Sequence, residues 1–396
     1  MSTTVENMSV AIPRGTPLPS ESAFRSLRQW LVEKKWNAGD RLPPEESLAK
    51  DLQIARGTLR RALKQLETEG LLVAARGRGR VVAGSAGRGS ELMSRVVAII
   101  SGLPSTMKVG REEELEKAIE MGVAEALDEA EMHRLTLHPS GLKEEVLRRF
   151  LSDHPLGVVV TGHVGGCDER RTLLAALAEH SIPVVVNSDG PELAAYDRVI
   201  SDHEAGSYEL TRWLIAQGRR RILRAWATPK EAYFIVMHNA GYERAMREAG
   251  LEALPPLDVP PLLVATERDE ARATFEQRSR VFAGYLLQHL TGPRPVDAIM
   301  VSTDSTTFPV AAACRLCGRM PHRDVTIVGY DGYWANWPDR EWEPTVPAAT
   351  VVKHNQRTGA ELVRVLLERI NGKAPDEPQR VVLAPEMVVI EEAAAG

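Results

Sequence analysis

Residues 55–70 read ARGTLRRALKQLETEG, and the fold of the N-terminal region turns on that stretch. Leu59, Ala62, Leu63 and Leu66 recur at three- and four-residue spacing, the period of one face of an α-helix. Arg56, Arg60, Arg61 and Lys64 fall outside that stripe, so the helix is apolar on one side and basic on the other. Gly70 stands where a helix end favours glycine. An ordinary surface helix with solvated charges has the same pattern, and the flanking sequence has to choose.

Upstream, SESAFRSLRQWLVEKKW (20–36) carries Phe24, Leu27, Trp30 and Leu31 at helical spacing behind Ser20 as N-cap. NAGDRLPP stops that helix, EESLAKDL (45–52) is a second, short one, and QIA is a tight turn before the basic helix. Downstream, LLVAARGRGRVVAG gives two short apolar strands around Arg76, Arg78 and Arg80. Helix, helix, turn, helix and basic hairpin is the order of a winged helix-turn-helix. The helix after the turn in such a motif enters the major groove of double-stranded DNA, and its N-terminal residues reach base edges. Arg56, Thr58, Arg60 and Arg61 are placed for that, arginine being able to clamp guanine O6 and N7. Arg76, Arg78 and Arg80 of the hairpin are expected on phosphates or in the adjoining minor groove.

Charge agrees. Residues 1–90 hold 15 Lys and Arg against 9 Asp and Glu, whereas the whole chain is at −5, which leaves −11 on residues 91–396. A basic head on an acidic body points to a polyanion partner for the head alone. The N-terminus lacks a basic start followed by an apolar core, and no apolar run reaches the roughly 18 residues that span a bilayer. Three cysteines build no disulfide framework, so a cytoplasmic protein without membrane association is expected.

The stretch RLPPEESLAKDLQIARGTLRRALKQLETEGLLVAARGRGRVVA resembles the DNA-binding domain of the GntR family. The match rests on Leu42-Pro43, Leu48-Ala49, Arg56, Thr58-Leu59-Arg60, Ala62-Leu63, Leu66, Gly70-Leu71 and the Gly-x-Gly wing. Three positions depart from it. Glu46 stands where the family has a DNA-touching arginine, Ala55 where it has Ser or Thr, and Gly57 follows the first arginine of the recognition helix. Glu46 would repel phosphate, which implies an unusual operator or a modest affinity.

Residues 83–94 (AGSAGRGSELMS) read as a flexible linker between a head at 20–82 and a body at 95–392. In the body, VVAII, GVVVTG, PVVVN, RVIS, VDAIMVST and DVTIVGYDG alternate with helical patterns near 112–130, 169–180, 203–217, 239–250 and 305–318. Short, fully apolar strands between helices argue parallel sheets covered on both faces, in two α/β lobes. The pieces VISDHEAGSYELTRWLIAQGRRRI, GYERAMREAGL, PVDAIMVSTD, DVTIVGYDG and the C-terminal helix–strand run resemble the LacI/GalR effector domain, a type I periplasmic-binding-protein-like fold. Head and body together resemble the arabinose-repressor type of regulator. That resemblance implies a dimeric, non-enzymatic repressor, released from its operator by a sugar bound between the lobes.

Ligands of open α/β sheets lie at the C-terminal ends of the strands. Ser101, Ser188, Asp189, Thr303, Asp304 and Asp331 occupy such ends, and their hydroxyls and carboxylates suit a polyhydroxyl ligand. By resemblance, Asp331 is the family's binding aspartate, Thr303 replaces its asparagine, and Ser188 or Asp189 stands for a further aspartate. His238 takes the place of an effector-binding arginine; a neutral imidazole offers one donor and one acceptor, which argues against an acidic effector. The run YDGYWANWPDREW (330–342) holds five of the chain's 20 aromatic residues. Trp334 and Trp337 there serve either to stack on a sugar or to pack an interface.

Other chemistry is not supported. Cys314 and Cys317 fall on one helix without a second pair, which reads as structural, and the ten histidines show no metal-ligand spacing. No phosphate loop, nucleophile elbow or dinucleotide fingerprint is present in context, so no cofactor is expected. Two rival readings remain open: a constitutive DNA-binding protein with a decayed cleft, suggested by His238 and Ser188, and a sugar-binding module or enzyme with a vestigial head, suggested by Glu46 and Ala55.

Overall fold

The computed structural model describes residues 19–32, 35–36, 40–68, 71–75, 79–82, 95–101, 112–137, 150, 155–161, 173, 175–179, 182–228, 230–260 and 270–391. The chain divides into two compact units, a small one of residues 1–95 with 148–155 and a large one of residues 96–147 with 156–396.

The small unit consists of α1 (Pro19–Val32), α2 (Glu45–Asp51), α3 (Arg56–Thr68) and the antiparallel pair β1 (Leu72–Ala75) and β2 (Gly79–Val82). Leu59, Ala62, Leu63 and Leu66 of α3 are buried against Ala23, Phe24 and Leu27 of α1, Leu48 and Ala49 of α2, and Leu72 of β1. Each fully buried leucine contributes about 1.5–3 kcal/mol, which is what commits so basic a helix to a packed position. α1 starts at Pro19, so Ser20 lies inside it rather than capping it. The segment before α2 adds a rung to the hairpin: Leu42 N–H donates to Arg80 O at 3.0 Å and Val82 N–H to Asp40 O at 2.9 Å.

The large unit contains two sheets. Lobe A is built on β3 (Val96–Ser101), β4 (His133–Leu137), β5 (Gly157–Thr161), β6 (Val184–Val186), β7 (Asp197–Ser201) and β13 (Arg380–Leu383). Their order is β13-β7-β6-β5-β3-β4, parallel at every junction. Val97, Ile99, Val159, Val185 and Val199 meet α4 (Glu112–Glu129) and α9 (Asn355–Ile370) through Ile119, Val123, Leu127, Leu362 and Leu366. Two glycines let these helices touch: a Cβ on Gly122 would sit 1.9 Å from Gln356 O, and one on Gly359 2.0 Å from Ile119 O.

Lobe B has β8 (Ile222–Trp226), β9 (Leu257–Asp258), β10 (Ala298–Val301) and β11 (Thr326–Val328) in the parallel order β11-β10-β8-β9. Alternate strand residues face opposite layers. Ile222, Trp226, Ala298 and Met300 pack with α5 (His203–Ala216) and α6 (Tyr233–Glu248). Leu223, Ala225, Ile299 and Val301 pack with α7 (Ala271–Thr291) and α8 (Thr307–Leu316). Three passages join the lobes: between β7 and α5, between β12 (Ala349–Val352) and α9, and between β13 and β14 (Glu386–Val389), the last strand returning to pair antiparallel with β12.

The sequence reading missed β4, β8, β9, β12 and α7 and began α6 six residues late. The linker expected at 83–94 and wing residues Arg76 and Arg78 lie outside the described residues.

Candidate DNA-reading face and effector site

The first turns of α3 carry the polar residues expected to read DNA. Arg56, Arg60 and Arg61 are exposed, Thr58 is half-buried, and Ala55 and Gly57 are exposed beside them. A Cβ at Gly57 would meet nothing within 4 Å, so the head's own packing does not require glycine there. Two of these arginines are already engaged. Arg56 pairs with Glu46 at 2.6 Å and Arg60 with Glu45 at 2.7 Å, both glutamates coming from the first turn of α2. Arg80 is a different case from the phosphate contact expected of it. It is half-buried, with Glu45 at 2.7 Å and Glu67 at 2.6 Å, and so braces β2 against α2 and α3. Arg60 and Arg80 hold the Glu45 carboxyl below the usual range.

In the body, the expected ligand residues fall into three neighbourhoods. At the strand ends of lobe A, Ser101 and Thr161 are adjacent in register and buried, and Ser188 is buried after β6. Asp189 is held by Arg198 at 2.8 Å and Arg380 at 2.8 Å, a tie between the β6–β7 loop and β13.

In lobe B, Asp304 is fully buried and accepts from Thr350 Oγ1 at 2.8 Å, Tyr333 N–H at 2.9 Å and Trp334 N–H at 3.3 Å. Burial pushes its carboxyl up to about 8 against the pull of those donors. Asp304 therefore organises the loop after β11 from beneath. Thr303 shares a hydrogen bond with the hydroxyl of Tyr333. Of the aromatic run, Trp337 is buried with Phe275 and Phe308, whereas Trp334 stays half-buried with the Arg340 guanidinium 5.2 Å from its ring.

The third neighbourhood surrounds His238 on α6. Its ring centroid lies 4.2 Å from Tyr330, 5.2 Å from His203, 5.8 Å from Trp226 and 6.0 Å from Phe234. His238 is 1% exposed, and neither ring nitrogen has a hydrogen-bond partner. Burial, with the nearby Lys353 charge, drives the imidazole down to about 3, so it is neutral. The Tyr330 hydroxyl is likewise buried without a partner, facing Gly206 of α5. Asp331 follows, in the left-handed region at φ 96°, paired with Lys353 at 2.7 Å. Lys353, Tyr330 and His203 are cluster members that the sequence reading did not select.

The CxxC pair is structural in its surroundings: burial raises Cys314 to about 12, and the Cys317 thiol donates to Ala283 O at 3.6 Å. Among the described residues no group of His, Cys, Asp or Glu could hold a metal, and no helix is long and apolar enough to cross a membrane.

Comparison with known proteins agrees with this division. Residues 15–82 match the family of bacterial regulatory proteins, gntR family, and residues 211–390 match the periplasmic binding protein-like domain. The arabinose metabolism transcriptional repressor of Geobacillus stearothermophilus is 23% identical over 92% of this chain and 94% of its own length. The HTH-type transcriptional repressor PurR of Vibrio atlanticus is 28% identical over 56% of this chain, which spans only 59% of that relative. A solved complex of the transcriptional regulator CelR with cellobiose superposes with a TM-score of 0.59 at 22% identity, covering 88% of this chain and 99% of that one. A LacI-family regulatory protein from Chloroflexus aggregans gives 0.58 at 19%, covering 75% and 97%. At these identities the solved structures speak for the fold. This protein is thus a DNA-binding regulator that joins a GntR-family winged helix-turn-helix head to a periplasmic-binding-protein-like ligand-binding body.

Proposed function

We propose that this protein is a homodimeric transcriptional repressor whose grip on a double-stranded operator is relieved by a small uncharged effector of the sugar class. Arg56, Thr58, Arg60 and Arg61 are its base-reading set, with Arg76 and Arg78 of the wing on the backbone. The effector site is the His238, Tyr330 and Asp331 cluster, together with Ser101, Ser188 and Thr303 at the strand ends and Trp334 as a stacking face. Asp304 holds the loop that presents Asp331 and Trp334. The observation that carries the reading is the buried, unpartnered state of both His238 nitrogens and the Tyr330 hydroxyl. Buried polar groups are nearly always hydrogen-bonded, to protein, water or ligand, and a cluster of two such side chains suits a ligand hydroxyl that supplies the bonds. Effector binding can loosen the operator only through a difference in affinity between two body states, about 1–3 kcal/mol of coupling.

A decayed cleft is the second reading, favoured by Asp189 and Asp331 each being already neutralised by basic side chains. One experiment separates the two. DNA selected from a random pool by the full-length protein is challenged with neutral sugars. Release of the selected DNA by one of them, lost in Asp331→Ala, supports the effector reading; retention against every sugar supports the decayed cleft. Absence of salt-sensitive DNA binding would count against both.

A further inference from the structure

The proposed effector cluster includes one charge that arrives from outside the loop that bears Asp331. Lys353 lies where the chain leaves β12 for α9, in one of the three passages between lobes. Backbone bonds fix its place. Gly329 N–H donates to Ala349 O at 2.9 Å and Asp331 N–H to Val351 O at 2.8 Å, so residues 349–353 run in register beside 329–331. Lys353 Nζ ends 2.7 Å from Asp331 Oδ1, with the two side chains 19% and 8% exposed.

We propose that Lys353 selects ligand charge at this site: paired with Asp331, it neutralises that carboxylate without leaving a spare cation, so the site takes uncharged polyhydroxyl ligands and refuses their acid and phosphate counterparts. This rests on reading the cluster as the effector site. An incoming carboxylate or phosphate must share the ammonium with Asp331 while being pressed against that carboxylate, where water is scarce and like charges interact strongly. A hydroxyl can donate to Asp331 and accept from Lys353 without altering the charge. The polar atoms of His238 and Tyr330, which have no partner, ask for neutral hydroxyls in the same way. Take the ammonium away, and Asp331 becomes a buried charge that only a ligand with its own cation can match.

The test uses thermal unfolding of the full-length protein with D-glucose, D-galactose, L-arabinose and cellobiose, set beside D-glucuronate, D-galacturonate, glucose 6-phosphate, D-glucosamine and D-galactosamine. A neutral sugar is expected to raise the wild-type midpoint while its uronate or phosphate at equal concentration leaves it unmoved. Lys353→Met is expected to bind that sugar at least tenfold more weakly and to respond to the amino sugar, and Lys353→Arg to restore the neutral response. Equal stabilisation of the wild type by a sugar and its uronate overturns the role of Lys353 and leaves the sugar reading standing. A folded Lys353→Met variant that keeps the neutral preference overturns it as well. If that variant does not fold, the wild-type contrast between sugar and uronate decides. A wild-type midpoint that no probe moves removes the sugar reading and this inference together.

Discussion

Thr350 donates its hydroxyl to Asp304 Oδ1 at 2.8 Å, which joins β12 to the 3₁₀ turn that follows β10. From the same carboxyl, Oδ2 takes the amides of Tyr333 and Trp334. One buried acid thus sets the path of the loop that carries Asp331.

That acid makes stability pH-dependent. Its folded pKa is raised by burial to about 8 from an ordinary 3.8. The folded state therefore holds the proton more tightly, and stability falls as pH rises between those values. Unfolding midpoints recorded from pH 5 to pH 9 should decline for the wild type, with a flatter profile for Asp304→Asn. An equal slope in the variant would assign the effect elsewhere.

His238→Phe keeps a ring among the aromatic neighbours and removes two unpartnered nitrogens. Exchange of an unsatisfied buried polar group for an apolar one of like shape is neutral or stabilising. The empty variant is expected to melt at or above the wild-type midpoint, yet to show no shift with the sugar that stabilises the wild type.

In the head, Glu46→Ala frees Arg56. Affinity for random DNA should rise, and the slope of log K against log salt should steepen by about 1 for each head as one more phosphate is engaged. Titration of random duplexes between 50 and 200 mM salt, by fluorescence anisotropy, reads both. An unchanged slope would mean that Glu46 does not restrain Arg56.

Arg80→Ala should act through stability. Its two ion pairs tie the wing to α2 and α3, and loss of such charge-assisted bonds at a half-buried site costs about 2 kcal/mol. The unfolding midpoint of the head should move down while the salt slope stays constant.

How much of this was legible in the sequence follows from burial. β3, β5 and β6 announce themselves because a parallel strand covered on both faces is apolar nearly throughout, and β7 shows through its buried Val199-Ile200 pair. β4 is an edge strand with four of its five residues exposed, so HRLTL carries no such signal. β8 hides behind Arg224, whose guanidinium is buried over the Tyr242 ring at 4.1 Å and bonded to Asn239 and Leu254 O. α7 is masked in the same way, since Arg278 and Ser279 stand in its buried stripe. Asp331 could be found from its motif. Lys353 could not, because its meeting with Asp331 depends on a ladder between segments 20 residues apart, a fact of register rather than of residue type.

The C-terminal return of the chain orders events during synthesis. β13 pairs with β7, whose residues leave the ribosome some 180 positions earlier, and β14 pairs with β12. Among the described residues, the core shared by the head's helices and hairpin is drawn from residues 23–82. A chain synthesised only as far as β12 therefore has the edge of β7 unpaired and no partner for β12, and lobe A completes its sheet only when residues 380–383 emerge.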